Sequence, residues 1–88
     1  MRTYPGMTNM TILSEFKTSD LVIAAVLKTS GKELTTIEMK GMRGIFVFKD
    51  VEQSFLNDID MGNVLVEPND FHNTTKQLTS IVRRKQQN

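Results

Sequence analysis

Apolar positions fall into blocks separated by capping and turn residues. Ile12, Ser14 and Phe16 alternate with Leu13, Glu15 and Lys17, which predicts a short strand over 12–17. Thr18-Ser19-Asp20 announces a helix. A Thr or Ser hydroxyl accepts from the free amides at a helix start, and Asp20 then falls in the first turn, where the dipole favours an anion. That helix runs to about Thr29, with Gly31 as the residue just past its end. Leu21 to Leu27 is apolar around most of the circumference, so the helix is buried on more than one side. Its two alanines allow a neighbour to approach closely.

Glu33 to Lys40 reads as a second strand. Ile37 and Met39 share a face and Leu34 is out of phase with them, which predicts a turn or bulge near Leu34. Gly41-Met42-Arg43-Gly44 is a hairpin connection with two residues able to take positive φ. Ile45-Phe46-Val47-Phe48 is apolar on both faces and rich in β-formers, so it predicts a central strand. Asp50 is expected to cap a second helix, with Gln53 three residues on. Val51, Phe55, Leu56 and Ile59 give its buried stripe, and Gly62 closes it. Val64-Leu65-Val66 is expected to be a short edge strand. Pro68 suits the first turn of a third helix. Phe71, Leu78, Ile81 and Val82 fall near one stripe, and Arg83-Arg84-Lys85 favour the negative end of its dipole.

The order is therefore β-α-β-β-α-β-α. This is an α+β domain: a small antiparallel sheet, its central hairpin at about 33–49, packed with three helices. Residues 1–10 hold Pro5 and Gly6 without periodicity and are expected to be disordered, leaving one domain over 11–85.

Several of these segments occur together in a familiar order. Phe16-Lys-Thr-Ser-Asp-Leu21, the apolar helix, Gly31-Lys-Glu-Leu34 and Ile45-Phe-Val-Phe-Lys-Asp50 are followed by Val64-Leu-Val-Glu-Pro68 and a helix with Lys76-Gln-Leu78. This arrangement, over about residues 16–82, resembles a phage- and prophage-associated family of small domains of unknown function. The resemblance implies a phage or prophage origin and a compact α+β domain. It implies no activity.

Composition narrows the chemistry. The 88 residues include no cysteine and a single histidine, His72. Disulfide scaffolds, thiolate metal sites and cysteine nucleophiles are excluded. The longest apolar run has seven residues, against the ~18 of a membrane helix. The first residues lack the charged start and apolar stretch of a secretory signal. A cytoplasmic location is expected, with no membrane partner.

Net charge is +1, but it is segregated. Asp50, Glu52, Asp58, Asp60, Glu67 and Asp70 make residues 50–70 purely acidic. Lys76, Arg83, Arg84 and Lys85 make residues 71–88 purely basic. Blocks of this kind either neutralise one another in the fold or face a partner.

Catalytic constellations are missing. Asp58-Ile-Asp60 followed by Gly62-Asn63 does not match the ligand order of a calcium loop. Asp70 and His72 are two apart and do not face each other on a helix. The expectation is a non-enzyme with no cofactor, no metal and no small-molecule substrate.

Two functions remain. The first is a protein-interaction or self-associating accessory module, suggested by a two-sided apolar helix, a two-sided apolar strand and a core barely large enough for one chain; a homodimer would use that surface. The alternative is a nucleic-acid-binding accessory protein. Lys40, Arg43 and Lys49 at the hairpin, with Lys76, Arg83, Arg84 and Lys85 on the last helix, would neutralise phosphates.

Overall fold

The computed structural model describes residues 11–87. The expected disorder of residues 1–10 lies outside the described residues. Three strands, β1 (Ile12–Thr18), β2 (Glu33–Lys40) and β3 (Arg43–Glu52), and three helices, α1 (Leu21–Thr29), α2 (Gln53–Asp60) and α3 (Pro68–Gln86), follow in the order β-α-β-β-α-α. The expected α+β class holds, with one correction. Residues 64–66 lie in a non-strand connection between α2 and α3, so the expected next-to-last element is a loop.

β3 is central, with β1 and β2 antiparallel on either side. β1 and β2 therefore run parallel to each other, and α1 crosses from one edge of the sheet to the other. Phe48 faces Phe16 across one ladder and Leu34 across the other. Phe46 faces Thr18 and Ile37 in the same way. Phe16, Leu34, Ile37, Phe46 and Phe48 join Ala24, Ala25, Leu27 and Leu78 in one core between the sheet and the helices.

Strand pairing has one register shift, between Leu34 and Thr36. Thr35 is the extra residue, and its hydroxyl donates to the Val47 carbonyl at 3.1 Å. The phase break at Leu34 in the sequence is this bulge. Val47 alternates with Phe46 and Phe48 and so points to the opposite face. It is nonetheless 2% exposed. Its cross-strand partners are Lys17 and Thr36. Lys17 Nζ lies 3.3 Å from Glu38 and 4.0 Å from Glu15, and Lys49 Nζ lies 3.8 Å from Glu33. Lysine stems lying along apolar surface, with their charges in water, account for the burial.

Helix ends are set by local chemistry. Asp20 is the N-cap of α1, and its carboxylate accepts from the Val22 and Ile23 amides at 2.9 and 3.2 Å. The cap is thus the residue expected in the first turn, while the Thr18 hydroxyl accepts from the Asp20 amide. At the other end the Gly31 amide donates to the Lys28 carbonyl and the Lys32 amide to the Leu27 carbonyl, both at 3.0 Å. That pair of bonds is a Schellman closure. Gly62 and Asn63 close α2 in the same way, donating to Ile59 and Asp58. Glu67 caps α3, accepting from the Asp70 amide at 2.7 Å, with Pro68 in the first turn.

Asp50 does not cap α2. It lies inside β3 at a left-handed φ of 56°, and α2 starts after Glu52, whose side chain makes no capping bond. The strict alternation of faces breaks at this point. Val51 is fully buried and its partner Leu13 packs on the core, while Ile12 is 53% exposed. A left-handed residue turns the end of the strand over, delivering Val51 to the core beside Leu56 of α2.

The α2 end of the sheet is also tied electrostatically. Lys32 Nζ donates to Glu52 Oε1 at 2.8 Å and lies 5.1 Å from the centre of the Phe55 ring. The bond from Lys32, then its charge, holds the Glu52 carboxyl below its ordinary value of 4.5. A carboxyl lowered in the folded state stabilises the fold above its unfolded pKa and loses that contribution as pH falls through the folded one. Glu52→Gln is therefore expected to flatten the acid limb of a stability-versus-pH curve below about pH 5. Urea midpoints collected across the acid range check this. Superimposable limbs for the two proteins would show that the pair carries no pH-dependent stability.

Candidate nucleic-acid interface

The last turns of α3 and the β2–β3 hairpin meet at one end of the sheet. Lys40 pairs with Arg43, leaving Gly41-Met42 as a two-residue turn. Gly41 takes φ of 65°, which the first turn position of a type II′ hairpin demands. Gly44 serves a different purpose from the one expected. It is buried within β3, outside the positive-φ glycines, and a Cβ there would lie 2.7 Å from Val82 Cγ2 of α3. Its missing side chain lets helix and strand touch. One turn further on, Gln86 Nε2 donates to the Met42 carbonyl at 2.7 Å. Helix end and hairpin are thus joined at two points.

The topology also brings the start of α1 here, because β1 ends at Thr18, opposite Phe46. A slot of about 270 Å³ opens where the three elements meet. Leu21, Phe46 and Val82 are among its walls, and Arg43 and Arg83 line it from the hairpin and the helix. Ser19 and Thr79 also line it. A second, more open groove of about 560 Å³ lies between α1 and α3, with Lys28, Lys76 and Arg84 on its sides. Arg84 and Lys85 border a further hollow at the helix end, and Lys40 and Arg43 flank Met42 on the hairpin.

Six of the seven basic residues singled out in the sequence therefore lie on α3 or the hairpin. Lys49 does not belong with them: it points to the outer face of the sheet and pairs with Glu33. Lys28 joins them instead. Nothing in the sequence around Lys28 signals this, because it meets Lys76 and Arg84 only through helix packing. Among the described residues, no carboxylate lies within 4.0 Å of Lys28, Lys40, Arg43, Lys76, Arg83, Arg84 or Lys85.

The acidic block does not neutralise this surface. Asp50, Glu52, Asp58 and Asp60 follow the outgoing end of β3 and α2, at the opposite end of the sheet from the hairpin. Glu52 is taken by Lys32, and Glu67 by the start of α3. The Asp58–Asn63 segment that superficially resembled a cation loop is a helix closure, its backbone bonds made within the turn. Among the described residues no cluster of three or more metal-ligating side chains occurs, and no helix is long and apolar enough to cross a membrane.

A single-layer antiparallel sheet with helices packed on its core face defines a small α+β domain. The chain belongs to the family described as Domain of unknown function (DUF5659), whose model matches residues 14–84. Comparisons with curated proteins and with solved structures find no match.

Proposed function

We propose that this protein is a non-catalytic accessory module that binds nucleic acid through the phosphate backbone. One observation carries the reading: seven cations on the hairpin, α1 and α3 have no carboxylate partner among the described residues, and neighbours in this set line the same hollows. Desolvated or paired cations serve the fold. Unpaired ones gathered on one surface produce a positive field that phosphates meet favourably. The resemblance to phage- and prophage-associated domains supports a setting in the cytoplasm of a phage-bearing cell.

Fluorescence anisotropy with labelled DNA and RNA tests this. Binding should be readily measured at about 50 mM salt and should weaken steeply by about 200 mM, as counterion release requires. Arg83→Ala combined with Arg84→Ala should weaken it about tenfold and reduce the log–log salt slope by about 2. Absence of binding at low salt would sink the proposal, because attraction is strongest there.

A second reading, protein interaction or self-association, draws on a different surface. Leu65 is 95% exposed and Met61 75%, in the connection between α2 and α3. That reading predicts indifference to the arginine changes and sensitivity to Leu65→Ser in a pull-down or sedimentation experiment.

A further inference from the structure

The slot at the hairpin end has features that simple phosphate attraction does not need. Its walls are apolar, from Leu21, Phe46 and Val82. Its volume of about 270 Å³ falls just below the roughly 300–1,000 Å³ of pockets for larger organic ligands. Two arginines, Arg43 and Arg83, line it from separate elements. The Ser19 and Thr79 hydroxyls line it and donate no hydrogen bond among the described residues. The α1–α3 groove is about twice as large, and Ile81 is its one large apolar side chain.

We propose that this slot takes one unstacked base of a single-stranded nucleic acid, with Arg43 and Arg83 holding the adjoining phosphates. The inference rests on the nucleic-acid reading above and adds a preference for single strands over duplex. Apolar walls accept the faces of a base. Guanidinium planes stack on bases as well as pairing with phosphates. The hydroxyls of Ser19 and Thr79 are suited to polar base edges. A duplex offers the same charges but keeps its bases paired and stacked, so none can enter without being flipped out at a cost. The groove with Lys28, Lys76 and Arg84 would then carry backbone leading away from the seated base.

The bases themselves can be removed from the ligand, which separates the slot from the charges. Three labelled probes of about 15 nucleotides, within the range of single-strand site sizes, are compared by anisotropy at one salt concentration. They are a thymidine single strand, its duplex with an adenosine strand, and a single strand of abasic sites. The single strand should bind about tenfold more tightly than either of the others. Ser19→Trp, an exposed position at the slot, should abolish that advantage while leaving the salt slope unchanged. Equal, salt-sensitive binding of the single strand and the abasic strand would overturn the slot proposal and leave phosphate binding standing. Failure of all three probes to bind at about 50 mM salt would overturn both.

Discussion

Phe48→Ala is expected to bring the fold to the edge of unfolding. Phe48 is fully buried at the middle of the central strand. Its ring lies in the row formed with Phe16 and Leu34, so it joins both edge strands to the core beneath the helices. Truncating a buried phenylalanine costs about 3–5 kcal/mol, through lost transfer energy and the cavity left behind. A domain of this size carries about 4–13 kcal/mol in total. The loss is then a large fraction of everything that holds the chain together. Urea denaturation followed by circular dichroism should show a much lower midpoint with an unchanged slope, the signature of altered stability without altered cooperativity. Phe48→Leu keeps most of the volume and should cost less than about 1.5 kcal/mol. If the alanine variant matched the parent midpoint, the core would have to lie elsewhere.

The centrality of that strand is visible in the chain itself, because Ile45–Phe48 has no polar face. The physical reason is only half helix packing. Phe46 and Phe48 meet the helices' core, whereas Val47 lies on the outer face with Lys17 and Thr36 as its cross-strand partners. Leu34 announced its bulge through phase alone, and Gly31, Gly62 and Pro68 marked helix limits through local bonding that needs no distant partner. Features that depend on distant partners were not legible. Val64-Leu65-Val66 has the composition of a strand, yet a strand exists only where a neighbour supplies its ladder. Asp50 has the composition of a cap, yet pairing of β3 with β1 continues past it to Glu52. Its left-handed backbone is then what brings Val51 to the core.

The same division applies to the charged surface. Arg83, Arg84 and Lys85 are adjacent in sequence, and a basic helix end is their local explanation. Lys49 looked equivalent to Arg43, but it lies towards the other end of β3 from the hairpin, opposite Glu15 and Glu33, and pairs with Glu33. Lys28 is far from Lys76 in sequence and close in space because α1 and α3 pack side by side. Whether the acidic and basic blocks cancel is likewise a question of topology. β3 runs away from the hairpin, so the acids that follow it are carried to the far end of the sheet, and the long α3 brings the bases back.

Gly44→Val should destabilise the fold by about 3 kcal/mol and should disable the slot with it. The ideal Cβ position at residue 44 is 2.7 Å from Val82 Cγ2 and 3.4 Å from Val82 Cγ1, distances that force one element to move. Ile37 Cγ2, at 3.6 Å, is already in van der Waals contact with the same position. Valine adds two further methyl groups to that contact. Overpacking of this kind costs about 1–3 kcal/mol or more, and the stiff χ1 of Val82 limits relief by rotation. A strand glycine replaced by a better β-former would otherwise gain about 0.5–1 kcal/mol, so a net loss identifies the steric term. Val82→Ala removes the obstructing methyl groups and, on its own, leaves a partial cavity. Combined with Gly44→Val it should recover much of the loss, giving a favourable coupling energy of at least about 1 kcal/mol in a double-mutant cycle. Additive effects would mean that helix and strand do not meet at this point. Residues 43 and 83 are the immediate neighbours of the clashing pair, so prising Gly44 from Val82 also shifts the two arginines that line the slot. At temperatures where Gly44→Val is still folded, its single-strand preference should fall while its salt slope persists, since every cation is retained and only their spacing has changed.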